Sequence, residues 1–201
     1  AEQAVKDNDI AYHGITLSPR QKGFADRRLA PFADRAKITL TDYRDVRGQY
    51  DAIASVEMVE AVGREYWGAY LDAIARNLKN GGRAAIQFIS IDDAIFEEYA
   101  RNVDFIQHYI FPGGMLRSEK EFFAAARERG LEPSDRTGFA LDYAQTLLMW
   151  RKNFDAVVAA GKLPAGFDEK FIRLWRFYLM YCEGGFRSGG IDVAQITLKK
   201  A

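Results

Sequence analysis

The chain has 201 residues, of which 48% are hydrophobic, enough for a sizeable core in one domain or in one domain with an appendage. Its 28 basic and 28 acidic residues balance, so the composition carries no electrostatic footprint for nucleic acid. A single cysteine excludes an internal disulfide, and no apolar run reaches the roughly 18 residues that a membrane-spanning helix needs.

The first half of the chain alternates apolar segments with amphipathic ones. Strands are predicted over residues 10–17, 37–40, 51–56 and 83–91, and helical segments over 1–8, 19–31 and 64–79. Ser18 and Pro19 mark the start of the second helix, because serine is a good N-cap and proline suits the first helical position. Strands alternating with helices predict a doubly wound α/β sheet with right-handed crossovers.

The second half is richer in aromatic residues. After an aromatic excursion over residues 92–114, Ser118 and Glu121 predict a capping box at the start of a helix over 118–129. The remaining segments are predicted as a strand running into a helix over 139–150, helices over 154–160 and 168–183, a break at Gly184–Gly185, and an edge strand over 191–198. Because no linker divides the chain, residues 1–201 are expected to form a single domain.

Two carboxylates, Glu57 and Glu60, follow the apolar strand predicted over residues 51–56. Open α/β sheets bind ligands at the carboxyl ends of their strands, so this is a candidate site. For Glu57, a solvated loop charge and a site residue remain equally open. For Glu60, the small residues Ala61 and Gly63 nearby favour a role in the site.

Two other predicted strand ends carry polar groups suited to a nucleoside. The segment 14–18 places hydroxyls and free backbone N–H groups between a strand and a helix, and the segment 40–45 does so one strand later. There the ring of Tyr43 could stack on a base, while Asp42 offers a carboxylate. Ser18 also serves as a helix cap, and the two roles are compatible.

Metal and hydrolase chemistry find little support in the sequence. His13 and His108 lie far apart, Cys182 is the sole cysteine, and no histidine–cysteine cluster has the spacing of a metal site. No GxSxG motif occurs, which disfavours a Ser-His-Asp hydrolase. The sequence therefore predicts no metal site.

Six segments, in the correct order, resemble those of the cyclopropane-fatty-acyl-phospholipid synthases and their mycolic acid relatives, which are S-adenosylmethionine (SAM)-dependent methyltransferases. They are GITLSPRQ (14–21), TDYRD (41–45), SVEMVEAVG (55–63), YIFPGGML (109–116), DYAQTLLMW (142–150) and FYLMYCEGGFR (177–187). The resemblance implies the Rossmann-like α/β fold of class I SAM-dependent methyltransferases. It also implies an aromatic, mostly helical lipid-binding insertion over about residues 92–186.

The resemblance implies a reaction as well. The π electrons of an unsaturated acyl chain attack the methyl group of SAM, and the resulting cation closes a cyclopropane ring when the added methyl loses a proton. In the family a bound bicarbonate takes that proton. It is held by a glutamate, a histidine, a tyrosine and the backbones of a cysteine and an isoleucine.

Site residues can be carried over only where this chain matches the family. The implied catalytic positions are Glu60, Tyr143, Ile89, Gln87 and Cys182, of which Gln87 stands where histidine is usual and Cys182 matches a second cysteine, not the one that holds bicarbonate. The implied SAM contacts are Thr16, Leu17, Ser18, Gln21, Asp42, Tyr43 and Arg44. The implied lipid contacts are Tyr109, Phe111, Tyr178, Tyr181 and Phe186, for which aromatic core packing is an equal explanation.

The resemblance thus predicts a cyclopropane synthase that uses SAM and bicarbonate and acts on unsaturated fatty-acyl phospholipids. It further predicts a cytoplasmic protein that contacts the inner membrane surface transiently, with a homodimer as one oligomeric state and no nucleic acid partner. The alternatives are a methyltransferase that makes a methyl-branched acyl chain and a non-catalytic lipid-binding module. Because the glycine-rich motif of the family's first strand is absent here, an N-terminally incomplete methyltransferase domain is expected rather than a short paralogue.

Overall fold

The computed structural model describes residues 1–201 and divides them into two compact units, residues 1–48 and 49–201. The first unit contains α1 (Glu2–Asp7), β1 (Tyr12–Thr16), α2 (Pro19–Leu29) and β2 (Ala36–Leu40), with 3-10 turns at Ala30–Phe32 and Tyr43–Asp45. Strands β1 and β2 are parallel neighbours, and Thr16 pairs with Leu40 at their carboxyl ends.

The start of α2 follows the sequence prediction. The Ser18 hydroxyl accepts a hydrogen bond from the backbone N–H of Gln21 at 3.2 Å, and Pro19 occupies the first turn. This bond satisfies one of the N–H groups that every helix leaves without an internal partner. The predicted cap is therefore confirmed.

The second unit holds one mixed sheet with helices on both faces. Its elements are β3 (Tyr50–Val56), α3 (Trp67–Asn77), β4 (Leu78–Ile91), α4 (Asp93–Arg101), α5 (Phe105–Tyr109), β5 (Arg117–Ser118), α6 (Glu119–Arg127), β6 (Leu131–Gly138), α7 (Ala140–Ala159), α8 (Glu169–Arg187) and β7 (Ile191–Lys200). The strand order is β3-β4-β7-β6, with β5 pairing with the end of β4. Strand β3 runs parallel to β4, whereas β7 is antiparallel to both β4 and β6.

Strand β4 separates two apolar layers. Ala84, Ile86 and Phe88 are buried, and the ring of Phe88 lies 5.4 Å from that of Phe122 on α6. Ile89, which points the opposite way because side chains alternate along a strand, packs against a cluster formed by α7, α8 and β7. Gln87 shares the side of Ile89, so it faces the layer that α7 and α8 build.

None of the helices has both the length and the apolar character needed to cross a bilayer.

One strand prediction was wrong, and one strand was missed. The segment 191–198 forms part of β7, which lies between β4 and β6 and is not an edge. Strand β6 is an edge strand on that side, and its sequence LEPSDRTG was not predicted as a strand because it is polar and contains Pro133. Proline is tolerated there since an edge strand leaves one row of backbone groups without a sheet neighbour.

Two predictions about helix ends also need correction. Gly184 and Gly185 lie inside α8, which continues to Arg187. The Ser118 hydroxyl does cap α6 by accepting from the Glu121 N–H at 3.2 Å, but the Glu121 carboxylate pairs with Arg64 instead of closing a capping box.

Candidate active site

The loop after β3 begins with a strained residue. Glu57 has a φ of 47°, and Asp135 is the only other residue besides glycine with a positive φ. This left-handed conformation costs a residue with a Cβ roughly 1–2 kcal/mol. The backbone N–H of Glu57 donates to the carbonyl of Gln87 at 2.9 Å, which ties the strained residue to β4. The surrounding sheet therefore fixes the direction in which the Glu57 side chain leaves the strand.

The Glu57 carboxylate collects two hydrogen bonds from distant parts of the chain. Its Oε1 accepts from the Gln87 amide at 2.7 Å and from the Tyr143 hydroxyl at 3.2 Å. The Gln87 Oε1 in turn accepts from the Gln195 amide at 2.8 Å. Burial, followed by the charge of Glu57, raises the pKa of Tyr143, so its hydroxyl stays protonated and donates at neutral pH.

Glu60 lies in the 3-10 turn that follows, Val59–Ala61, and is partly buried. Its Oε1 accepts from the Ile89 N–H at 2.6 Å, and its backbone carbonyl accepts from the Met115 N–H at 2.9 Å. Its Oε2 is buried and has no hydrogen-bond partner. Burial raises the pKa of Glu60, opposed by the Ile89 N–H and by the positive charge of Arg117. The carboxylate is thus held at one oxygen and unsatisfied at the other.

Arg117 is the charged residue behind Glu60, and its side chain is fully buried. It donates to the carbonyls of Met115, at 2.6 Å, and of Val62. Its guanidinium lies 4.5 Å from the ring centroid of Trp67. Burial lowers the pKa of Arg117 to about 10, with Glu60 acting in the opposite sense, so the side chain remains cationic at neutral pH. Arg117 could not be identified from the sequence, because nothing there distinguishes a buried arginine among the 28 basic residues.

Four of the five predicted catalytic positions meet here, but not around the expected partner. Ile89 contacts Glu60 through its backbone, whereas Gln87 and Tyr143 both donate to Glu57. Glu57, which the sequence left open, is the residue that joins them. The roles of all these residues in a reaction remain predictions.

Cys182, the fifth predicted catalytic position, is half-buried against the apolar cluster of α7 and α8. Burial, followed by the charge of Asp104, raises the pKa of its thiol to about 12. The neighbouring Tyr178 hydroxyl has its pKa raised to about 12, also by burial first. The thiol is therefore neutral under ordinary conditions and unsuited to act as a nucleophile.

We expect Cys182 of the native protein to react with iodoacetamide at pH 8 about a hundredfold more slowly than a free cysteine. The thiolate is the reacting species, and it is scarce far below the pKa. Mass spectrometry of timed samples measures the rate, and the same protein in guanidinium chloride is the control that should label quickly. Rapid labelling of the native protein would contradict the assignment of a buried, neutral thiol.

Of the five predicted lipid contacts, one is buried in the core and the other four lie in two aromatic clusters. Phe186 is a core residue, only 2% exposed, with its ring 5.0 Å from that of Tyr143. Tyr109 and Tyr181 are exposed, and each ring packs on Phe105, at 5.5 and 5.6 Å. Phe111, also exposed, and the half-buried Tyr178 have their rings 6.3 Å apart.

The predicted SAM contacts lie in the first unit, at the adjoining carboxyl ends of β1 and β2. The Thr16 hydroxyl donates to Gln21 at 2.7 Å, and the Thr41 N–H donates to the Thr16 carbonyl at 3.2 Å. Asp42 accepts two side-chain bonds from Arg44, at 2.9 and 2.7 Å, which lower the pKa of its carboxyl to about 2. The sequence prediction that these two loops adjoin is consistent with this pairing, and their binding of SAM remains a prediction.

Comparison with known proteins agrees with the family resemblance that the sequence shows. The model of the family described as mycolic acid cyclopropane synthetase matches residues 1–196. The chain is 42% identical over 187 residues to the tuberculostearic acid methyltransferase UfaA1 of Mycobacterium tuberculosis, covering 92% of this chain and 44% of that protein. It is 31% identical over 201 residues to the cyclopropane-fatty-acyl-phospholipid synthase of Escherichia coli, covering 100% of this chain and 50% of that one. The chain thus spans about half the length of these curated relatives.

Solved structures with the same fold include two cyclopropane synthases. The cyclopropane synthase MmaA2 from Mycobacterium tuberculosis superposes with a TM-score of 0.87 at 22% identity, covering 98% of this chain and 73% of that one. The mycolic acid cyclopropane synthase CmaA1, in complex with SAH and CTAB, gives a TM-score of 0.86 at 27% identity over the same shares. These likenesses confirm the predicted class I methyltransferase fold.

Proposed function

Because the chain belongs to the mycolic acid cyclopropane synthetase family, as its sequence predicted, we propose that this protein transfers a methyl group from SAM to the double bond of an unsaturated fatty-acyl chain. The observation that carries the proposal is the convergence of Glu57, Gln87 and Tyr143 at the carboxyl ends of β3 and β4. That is the edge at which α/β sheets bind ligands. Glu60, at the same strand end, adds a second carboxylate.

A methyl transfer to an alkene produces a carbocation, and these side chains suit one. Carboxylates fixed before the reaction stabilise positive charge without having to reorganise as it develops. The aromatic rings of Tyr143 and Tyr178 lie on the same side of the sheet, in the layer of α7 and α8. An apolar acyl chain fits such surroundings better than a polar substrate does.

SAM supplies the electrophilic methyl group when it is bound, and the chain offers residues that fit it. Thr16 and Ser18 present hydroxyls, and Asp42 a carboxylate, at neighbouring strand ends. One solved relative holds SAH. We assign SAM to these loops, together with Leu17, Gln21, Tyr43 and Arg44.

Asp42→Asn is expected to weaken SAM binding by about tenfold to a hundredfold, because a hydrogen bond to a charged group contributes roughly 1.5–3 kcal/mol. Isothermal titration calorimetry with the complete gene product measures the dissociation constant. Asp34→Asn, an exposed aspartate outside the two loops, is the matched control. Equal affinities of Asp42→Asn and wild type, or a ligand-bound structure with the adenosine elsewhere, would contradict the assignment.

The acyl chain is proposed to belong to a phospholipid at the inner membrane surface, where such chains are found. The exposed aromatic residues Tyr109, Phe111 and Tyr181 support this, as they offer apolar surface to a lipid. The single-domain organisation with an acyl-binding insertion over about residues 92–186 is part of the same proposal.

The test is lipid analysis with labelled SAM and the complete gene product. Mass spectrometry should show unsaturated acyl chains that gain one labelled carbon. Unchanged lipids after incubation of a protein that binds SAM would instead favour the non-catalytic lipid-binding module.

A cyclopropane fatty acid is the product that the sequence predicts, on the condition that Gln87 donates to a bound anion. A methyl-branched product is the second candidate, and one observation favours it. The Gln87 amide already donates to Glu57 and accepts from Gln195, so both of its ends are engaged within the chain. Upfield cyclopropyl signals in the proton spectrum of the lipids identify the ring, and their absence beside a new branched methyl signal identifies the alternative.

A further inference from the structure

The donors of this chain that the family resemblance assigns to a bicarbonate are engaged by carboxylates of the chain itself. Within the chain, Gln87 stands where the family has the histidine. The two side-chain donors, Gln87 and Tyr143, both reach Glu57. A carboxylate of the chain itself therefore occupies the donors that an exogenous anion would need.

We propose that Glu57 is the base of the reaction: its carboxylate accepts the proton that is lost from the carbocation formed on the acyl chain. This inference rests on the methyl transfer proposed above and replaces bicarbonate by a side chain. A carboxylate and a bicarbonate present the same pair of oxygens to two hydrogen-bond donors. Gln87 and Tyr143 can therefore donate to the Glu57 carboxylate as they would to a bicarbonate.

The backbone at Glu57 supports the assignment. A positive φ in a residue other than glycine persists only where its surroundings hold it, and such residues concentrate at functional sites. Here the bond from the Glu57 N–H to the Gln87 carbonyl fixes the backbone, while Gln87 and Tyr143 fix the carboxylate. Glycine would adopt this conformation at no cost, whereas glutamate adopts it at a backbone penalty that its hydrogen bonds must offset.

The partners of Glu57 suit a base. Both donors are neutral, so they orient the carboxylate without cancelling its negative charge as an arginine or lysine would. The residue is also exposed, so that it can return the proton to water after each turnover. Glu60 differs, because one of its oxygens is committed to the Ile89 N–H and the other is buried near Arg117.

The alkene π electrons form the new C–C bond as the C–S bond of SAM breaks, leaving neutral S-adenosylhomocysteine and a positive charge on the neighbouring carbon. A C–H bond of the added methyl group then gives its electron pair to the ring bond, or a C–H bond of a chain carbon next to the cation gives its pair to a new double bond. Its proton moves to a carboxylate oxygen of Glu57. The reaction therefore needs no oxidant and no base other than this side chain.

The experiment compares wild type, Glu57→Gln and Glu57→Gly in buffer depleted of carbon dioxide, using the complete gene product, labelled SAM and unsaturated phospholipid vesicles. We expect the turnover rate of the wild type not to depend on the bicarbonate concentration. Glu57→Gln should lose about a hundredfold to ten-thousandfold in kcat with SAM affinity unchanged, because it cannot accept the proton. Glu57→Gly leaves room for an anion, so added bicarbonate or formate should restore part of its activity.

Glu98→Gln, a substitution at an exposed glutamate on α4, is the matched control and should behave as wild type. Thermal unfolding separates a folding defect from a chemical one, and Glu57→Gly, which suits the backbone, should remain folded. Wild-type turnover that collapses without bicarbonate and returns with it would overturn the proposal, as would a Glu57→Gln variant within a few-fold of wild type. A wild type that transfers no methyl group at all fails the proposed function, and the inference with it.

Discussion

Replacing Glu60 by glutamine is expected to lower kcat by about a hundredfold to a thousandfold while leaving the affinity for SAM nearly unchanged. Glutamine has the same shape and still offers an oxygen to the Ile89 N–H, so the local structure should persist. What is lost is the negative charge at the strand end. Because the cation exists only along the reaction path, the loss falls on the transition state rather than on ground-state binding.

The environment of Glu60 also predicts a pH dependence. Burial raises its pKa, so the acid limb of the rate profile should lie above the pH at which an ordinary glutamate titrates, about 4.3. The same shift means that the folded protein binds this proton more tightly than the unfolded chain. Its contribution to stability is therefore present at low pH and is lost as the pH rises through the folded-state pKa.

The measurement is single-turnover and steady-state kinetics of Glu60→Gln across pH, with calorimetry for SAM binding. Glu65→Gln, at an exposed glutamate in the next 3-10 turn, is the control for an altered surface charge. Activity of Glu60→Gln within a few-fold of wild type would show that Glu60 has a structural role only. A loss of SAM affinity as large as the loss of turnover would point to a defect in folding or cofactor binding instead.

Much of the fold could be predicted because local patterns coincide with the tertiary structure. The Ser18–Pro19 start of α2 and the apolar run of β3 carry their own signals, and both appear within a few residues of the predicted bounds. Strand β6 carries no such signal, since its polar sequence is stabilised by pairing with β7 rather than by its own pattern. The internal position of β7 was likewise missed, because alternation marks a strand but not its neighbours.

The candidate site shows a similar division. The family resemblance placed Glu60, Gln87, Ile89 and Tyr143, and the structure brings them to the carboxyl ends of β3 and β4. That Gln87 and Tyr143 turn to Glu57 could not be predicted, because Tyr143 lies 86 residues away and the contact depends on a backbone angle that no sequence pattern encodes.

Arg117→Met is expected to lower the free energy of unfolding by about 3 kcal/mol, because a hydrogen bond from a charged group contributes roughly 1.5–3 kcal/mol. Arg117 is fully buried and holds the carbonyls of Met115 and Val62, which join the loop before β5 to the turn after Glu60. Methionine fills much of the volume but donates no hydrogen bond. The Val62 carbonyl retains a bond from the Trp67 indole at 3.3 Å, so most of the loss falls on the Met115 carbonyl and on the stacking with Trp67.

Urea unfolding of the complete gene product measures this loss, with Arg101→Met as the matched control. Arg101 is exposed and faces Glu97 at 3.7 Å, a surface pair for which a change of at most about 1 kcal/mol is expected. Arg117→Lys separates charge from geometry, since lysine keeps the positive charge but cannot reach two carbonyls with a planar fork.

If the positive charge beside Glu60 sets its pKa, Arg117→Met should raise the pKa of Glu60 further and move the acid limb of the rate profile to higher pH. Arg117→Lys should leave that limb in place. An Arg117→Met protein as stable as the Arg101→Met control would show that the buried guanidinium contributes no net stability to this fold.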